Sequence, residues 1–376
     1  MDTDDTEADL SLFRYTGLDP LPPEYRDLDS ADRSDRIAAA LEALGDDVVV
    51  LGHNYQRQEI IEHADFVGDS YQLSKAAADT DASYVVFGGV TFMAETADMI
   101  TDEDQSVLLP SMAASCPMAG MAETPQVKHA WDAFTQTVDP ADLVPITYMN
   151  SYASLKAFTG AHDGIVCTSS NADAAFEWAL DHGETILFLP DKHLAINTAH
   201  RLGLADEVVV WDPWNPEGTD PAEAADASVI AWDGYCQVHD RFTREHVAAL
   251  RERRPEANVV VHPECRHEVV EAADVVGSTA TIRETVAEAD PGETWAIGTE
   301  MHLAHHLDRW HADVDVIPLC GEECMDCNAM RQIDPNYLAW VLEELTEERE
   351  HNVIDVPADE RTAAMTAIDR MLALDT

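Results

Sequence analysis

The sequence predicts an α/β fold made of three similar three-layer units, each with a parallel sheet, set around a pseudo-threefold axis. Three observations predict it. Short apolar strands alternate with helix-period segments along most of the chain, the pattern of parallel sheets covered by helices. The same order of elements occurs three times. Polar residues after corresponding strands also fall at matching intervals. These are 17 residues from His53 to Ser70, 19 from Asn150 to Ser169 and 17 from His262 to Thr279. From those turns it is 46, 67 and 48 residues to Cys116, Cys236 and Cys327.

Residues 1–34 are acidic and interrupted by Pro20, Pro22 and Pro23, so they read as an N-terminal arm without catalytic content. The first unit spans 35–120. A helix over 34–44 carries Ile37, Leu41 and Leu44 on one face and stops at Gly45. A strand over 48–51 runs into Gly52-His53-Asn54-Tyr55, and a helix follows to about residue 64. Strands over 84–87 and 107–109 flank a helix over 92–99, and the second strand leads to Cys116. The second unit spans 121–238. It has a helix over 128–134, strands over 145–148, 185–189 and 207–211, and a proline- and acid-rich surface insertion over 212–226, and it closes at Cys236. The third unit, 239–333, repeats the pattern with a helix over 246–253 and strands over 259–261, 294–297 and 314–317. Helices over 334–376, including 337–345 and one ending near Leu372, complete the chain.

Composition narrows the function. The 376 residues are 46% hydrophobic, enough for large cores, and no apolar run approaches a membrane span. The net charge is −51, with 4 Lys against 18 Arg, and the acids are spread evenly. Uniform acidity with little lysine reads as adaptation to a high-salt cytoplasm, where salt screens self-repulsion. It excludes nucleic-acid binding, which needs basic patches. Without a secretory leader the expected location is cytoplasmic, and structural disulfides are not expected.

Seven cysteines then become informative. Cys320, Cys324 and Cys327 crowd into one stretch, IPLCGEECMDCNAM. Reduced thiols at such density point to a metal or an iron–sulfur cluster. Two arrangements compete. The three could bind together, with the C-x3-C-x2-C spacing of radical S-adenosylmethionine enzymes, although that motif usually follows a first barrel strand. Alternatively, Cys116, Cys236 and Cys327, one from each unit end, could hold one [4Fe–4S] cluster and leave an iron open to substrate as a Lewis acid. A non-enzymatic iron–sulfur sensor is a further alternative, but it would not need polar strand ends facing the cluster. Cys167 and Cys265 read as buried hydrophobes. A zinc site on Cys236 and His239 lacks matched partners in the sequence.

His53, Tyr55, Tyr148, Asn150, His262 and Glu264 sit where first strands end, the edge at which parallel α/β folds bind ligands. His and Glu suit proton transfer, and Tyr suits donation to a developing oxyanion. Ser70, Ser169 and Thr279 precede helices. There a hydroxyl is ordinarily a cap, but three convergent helix N-termini would also bind anions. His53, His193 and His262 are candidate cations for such a site.

The ordered motifs GHNYQ (52–56), ADFVGDSYQLS (64–74), GVTFMAETA (89–97), CTSSNA (167–172), PDKHLA (190–195), GYCQVH (234–239) and HPEC (262–265) resemble the quinolinate synthase family over about residues 35–376. The resemblance implies condensation of iminoaspartate with dihydroxyacetone phosphate to quinolinate, with loss of phosphate and water. It implies a [4Fe–4S] cluster on Cys116, Cys236 and Cys327. It implies substrate contacts at His53, Tyr55, Ser70, Tyr148, Asn150, Ser169, His262, Glu264 and Thr279. Tyr55, His262 and Glu264 are the expected proton-transfer residues. The enzyme that supplies iminoaspartate is the implied protein partner.

Overall fold

The computed structural model describes residues 21–215, 221–224, 226–321 and 324–374. The first 20 residues of the acidic arm and part of the 212–226 insertion therefore lie outside the described residues.

The first unit contains α1 (Pro23–Arg26), α2 (Ser30–Leu44), β1 (Val48–His53), α3 (Gln58–Ile61) and β2 (Phe66–Gly68). It continues with α4 (Ser70–Ala78), β3 (Tyr84–Gly88), α5 (Thr91–Ile100) and β4 (Ser106–Leu108). The second has α6 (Thr124–Phe134), β5 (Leu143–Tyr148), α7 (Ala153–Ala161), β6 (Ile165–Cys167) and α8 (Ala172–Leu180). After these come β7 (Thr185–Leu189), α9 (Lys192–Arg201), β8 (Val208–Trp211), α10 (Pro221–Ala224) and β9 (Val229–Trp232). The third has α11 (Arg244–Arg253), β10 (Asn258–Val261), α12 (His267–Val270) and β11 (Val275–Val276). It ends with α13 (Thr279–Ala287), β12 (Thr294–Gly298), α14 (Met301–Trp310) and β13 (Asp315–Pro318). Three helices follow: α15 (Asn328–Arg331), α16 (Pro335–Leu345) and α17 (Ala358–Leu374).

The three sheets are ordered β2-β1-β3-β4, β6-β5-β7-β9-β8 and β11-β10-β12-β13, and every pairing between named strands is parallel. The expected class of three similar parallel α/β units is the observed one. Strands β1, β5, β7 and β12 are buried along their whole length, as continuous Val/Ile/Leu runs require when helices cover both faces. Because each sheet is parallel, its carboxyl ends share one edge. The segments after β1, β5 and β10 are thereby brought beside the turns after β2, β6 and β11 and the thiols that follow β4, β9 and β13.

The middle unit departs from expectation. The reading ended its sheet with the strand over 207–211. In the structure β9 inserts between β7 and β8, leaving β8 at the edge. The apolar run Val229–Trp232 is fully buried and occupies the place that β4 and β13 hold in the other sheets. The helix expected up to residue 64 is only the short α3, since β2 follows almost at once. Helix α2 begins earlier than expected, at Ser30, because Asp29 caps it by accepting from the Ala31 and Asp32 N–H groups at 2.9 Å.

The C-terminal helices tie the units together. Helix α16 returns to pack on α2, where Glu343 pairs with Arg36 and accepts from Tyr25 Oη at 2.6 Å. Helix α17 lies against α7 and β6. Contact there is backbone to backbone: a Cβ on Gly160 would fall 1.8 Å from the Ala363 carbonyl oxygen.

Candidate active site

One cavity opens where the three units meet. His53 and Tyr55 reach it from the end of β1, Tyr148 and Asn150 from the end of β5, and His262 and Glu264 from the end of β10. Ser70, Ser169 and Thr279 line it from the three equivalent turns, and Cys116, Cys236 and Cys327 line it from the unit ends. Twelve of the residues singled out in the sequence thus face one space. Neither His193 nor Cys320 or Cys324 lines it.

The first and third units build the same local device. The His53 ring nitrogen Nδ1 accepts from the Tyr55 N–H at 3.1 Å, and His262 Nδ1 accepts from the Glu264 N–H at 3.3 Å. With Nδ1 engaged as acceptor, the neutral ring carries its proton on Nε2. Burial lowers His53 to about 3. Burial, reinforced by His239, does the same to His262. The expectation that these histidines supply positive charge is therefore corrected: they are neutral N–H donors. His193 is also removed from that role. Its Nε2 pairs with Asp240 at 2.9 Å, outside the cavity.

The hydroxyl turns divide the work that the sequence left undivided. Asp69 caps α4 by accepting from the Gln72 N–H at 2.8 Å, and Ser278 caps α13 by accepting from Thr281. Ser70 and Thr279 are each the first residue inside their helix, so the capping task falls to their neighbours. Thr279 Oγ1 accepts from Asn54 Nδ2 at 3.2 Å, which joins units one and three, and Arg283 Nη1 holds Asn54 Oδ1 at 3.0 Å.

Glu264 is the buried charge of the site, 1% exposed. Burial opposes its ionisation, but the adjacent His239 outweighs that and holds the carboxyl well below its usual range. Its Oε2 lies 2.5 Å from His239 Nδ1 and 3.6 Å from His262 Nδ1, and the two imidazoles stack at 4.4 Å. Tyr148 stands close enough to this carboxylate to feel its charge. Tyr55 Oη lies 2.7 Å from Thr299 Oγ1, which in turn lies 2.9 Å from His239 Nε2. Burial, with Glu264 adding for Tyr148, pushes both phenols well above their ordinary value, so both keep their protons.

His239 and Thr299 are the members of this network that the sequence reading missed as site residues. His239 entered it only as a lone zinc partner, because the corresponding turns of units one and three carry no histidine. Among the described residues, Cys236, His239 and Glu264 form a group whose ligand atoms all lie within 4.8 Å of one another. The absence of matched partners for Cys236 and His239 is corrected by Glu264, which comes from 25 residues downstream.

The three thiols share a setting. Each cysteine opens a helical turn, its carbonyl accepting from the N–H four residues on: Gly120 at 3.3 Å, Asp240 at 2.9 Å and Arg331 at 3.0 Å. Burial, then the neighbouring Cys327, pushes the Cys116 thiol up to about 12; burial pushes Cys327 up to about 11 and Cys236 well above its usual value. Buried thiols of this kind ionise when a cation replaces the proton. A second cavity, lined by the same three cysteines with Pro117, Gln237 and Asp326, lies alongside. Cys320 and Cys324 form a disulfide with Cα atoms 5.1 Å apart, contrary to the expectation that the chain has none. The two residues stand at the turn after β13, close enough to close on each other. A three-thiol set of Cys320, Cys324 and Cys327 is thereby not available, whereas Cys116, Cys236 and Cys327 are all free.

The family described as quinolinate synthetase A protein matches residues 35–373. The chain is 68% identical to the quinolinate synthases of Haloarcula marismortui and Halobacterium salinarum, over all of both chains in each case. It is 48% identical to that of Streptomyces coelicolor over 93% of this chain and 90% of the other. By its sequence, the chain belongs to the quinolinate synthase family.

Proposed function

We propose that this cavity forms quinolinate from iminoaspartate and dihydroxyacetone phosphate, releasing phosphate and water, with a [4Fe–4S] cluster held by Cys116, Cys236 and Cys327. The observation that carries the reading is the convergence of three free thiols and nine polar side chains from three separate sheets on one cavity. The donor set fits the cluster: three free, half-buried thiols, one per unit, each opening a helical turn and all lining the same cavity. When bound, such a cluster supplies a Lewis-acidic iron that polarises a hydroxyl or carboxylate oxygen.

The protein groups divide the remaining work. Both substrates are anionic. The Ser70, Ser169 and Thr279 hydroxyls, at the N-terminal ends of α4, α8 and α13, bind carboxylate or phosphate oxygens in a cavity lined by no Lys or Arg among the described residues. The neutral His53 and His262 donate from Nε2, and the Asn150 amide orients the same groups. Tyr55 and Tyr148, protonated well past neutrality, donate protons to oxygen as charge develops on it. Glu264, ionised and buried, accepts the protons lost from carbon and nitrogen, and His239 beside it relays them. The overall change needs no external oxidant. The enzyme that supplies iminoaspartate is the partner this reading calls for, and the cytoplasm is the compartment. Under anaerobic conditions the iron-loaded protein, given iminoaspartate and dihydroxyacetone phosphate, yields quinolinate. Absence of product with a fully loaded cluster overturns the proposal.

A further inference from the structure

The second and third units hold their thiol-bearing segments by the same means. In each unit the strand beside the thiol-bearing one leads into a helix, and the capping positions correspond: Val90 before α5, Asp191 before α9, Glu300 before α14. Asp191 is fully buried. Its Oδ1 accepts from the Leu194 N–H at 2.8 Å, and its Oδ2 accepts from the Cys236 N–H at 3.1 Å. Glu300 is also fully buried. Its Oε2 accepts from the His302 N–H at 2.7 Å, and its Oε1 accepts from the Cys327 N–H at 3.1 Å. Each carboxylate therefore spans from a helix N-terminus to the backbone of a thiol residue. Val90 has no acceptor to offer. In its unit the link is inverted: Thr91 donates from N and Oγ1 to the Ala114 carbonyl at 2.9 and 3.1 Å, two residues before Cys116.

A simple helix cap does not account for this. Ser or Thr would cap α9 or α14 without placing a second carboxylate oxygen in the interior, where an acid is costly unless every lone pair has a use. The second oxygen meets the cysteine N–H in both units, and in the third Glu300 Oε1 also pairs with His302 Nδ1 at 2.8 Å.

We propose that Asp191 and Glu300 are positioning residues for the metal centre, each fixing the backbone of one cluster-binding cysteine to a rigid helix start before iron arrives. The inference rests on reading Cys116, Cys236 and Cys327 as the cluster ligands. It is tested with anaerobically loaded full-length protein, by the rate at which a ferrous chelator strips iron, followed by loss of the cluster's visible absorbance. Asp191→Ser and Glu300→Ser keep a capping hydroxyl but do not reach the cysteine. Each is expected to lose iron about tenfold faster than the parent, in the range seen when groups behind metal ligands are removed. Asp191→Asn and Glu300→Gln keep the reach but only one acceptor oxygen, so with that oxygen on the cysteine N–H they give up the cap; each is expected to lose iron more slowly than its serine counterpart. Rescue by the amides but not by serine separates positioning from capping. Serine variants that hold iron as long as the parent overturn the inference, and so do amide variants that lose it as fast as serine. The two sites are independent, so if one serine variant does not fold the other decides. A parent protein that takes up no iron and sulfide refutes the cluster reading instead.

Discussion

Replacing Glu264 by Gln removes a charge and a proton acceptor while keeping the volume of the side chain. The residue is 1% exposed and 2.5 Å from His239. The amide fits the same space, so the cavity and the turns that bind anions are left in place. What is lost is the group whose pKa His239 holds low, and with it a base that stays ionised in a dry site. General base catalysis contributes about 10²- to 10⁴-fold, or roughly 3–5 kcal/mol of transition-state stabilisation. Turnover of Glu264→Gln should fall by that factor, with KM for either substrate within about threefold. Thr279→Ala should show the opposite split. It removes a hydroxyl from an anion-binding turn, so KM should rise about tenfold, the worth of one hydrogen bond to a charged group, with kcat nearly unchanged. Steady-state kinetics on anaerobic protein, with the cluster absorbance recorded for each variant, makes the comparison. A Glu264→Gln enzyme that turns over within threefold of the parent refutes the assignment of Glu264 as base.

Three further expectations concern the fold. Gly160→Ala puts a methyl where the Ala363 carbonyl oxygen now sits; the overpacking, about 1–3 kcal/mol, exceeds the gain of about 1 kcal/mol from helix propensity, so the melting temperature should fall, and a rise would show that α17 does not press on α7. Hydrogen bonds from Arg349 and His351 hold Glu344 down to about 2. Because the folded pKa is depressed, this contribution is complete above the usual Glu value and is lost as pH falls toward 2. Glu344 lies near the surface, where such pairs are worth less than about 1 kcal/mol. Glu344→Gln should therefore be slightly less stable at pH 6 in denaturant titrations and equal to the parent near pH 2; a difference that widens in acid would reverse the sign. With 73 acids against 22 bases, the melting temperature should rise from about 0.1 M to about 1 M KCl as the Debye length falls from about 10 to about 3 Å; a flat curve would remove the high-salt interpretation.

The repeat made most of the fold legible. Val- and Ile-rich runs fully buried in parallel sheets leave few alternatives, and polar residues directly after them mark the ligand edge without reference to packing. The same register singled out Cys116, Cys236 and Cys327. What the sequence hid is what breaks the register. His239 has no counterpart in the other units. Strand β9 follows an insertion that obscures its equivalence with β4 and β13. Asp191 and Glu300 look like ordinary helix caps until the backbone of a distant cysteine is placed against their second oxygen. The charge of His53 and His262 could not be read from residue type, because burial decides it. The Cys320–Cys324 pairing depends on a turn whose closure spacing alone does not reveal.

Iron and sulfide content, measured together on anaerobically purified protein and its Cys→Ser variants, tests the central assignment most directly. About four iron and four sulfide per chain are expected for the parent. Cys116→Ser, Cys236→Ser and Cys327→Ser should each lose the cluster, while Cys320→Ser keeps it. A Cys320→Ser protein without the cluster, beside a Cys116→Ser protein that retains it, would contradict the account.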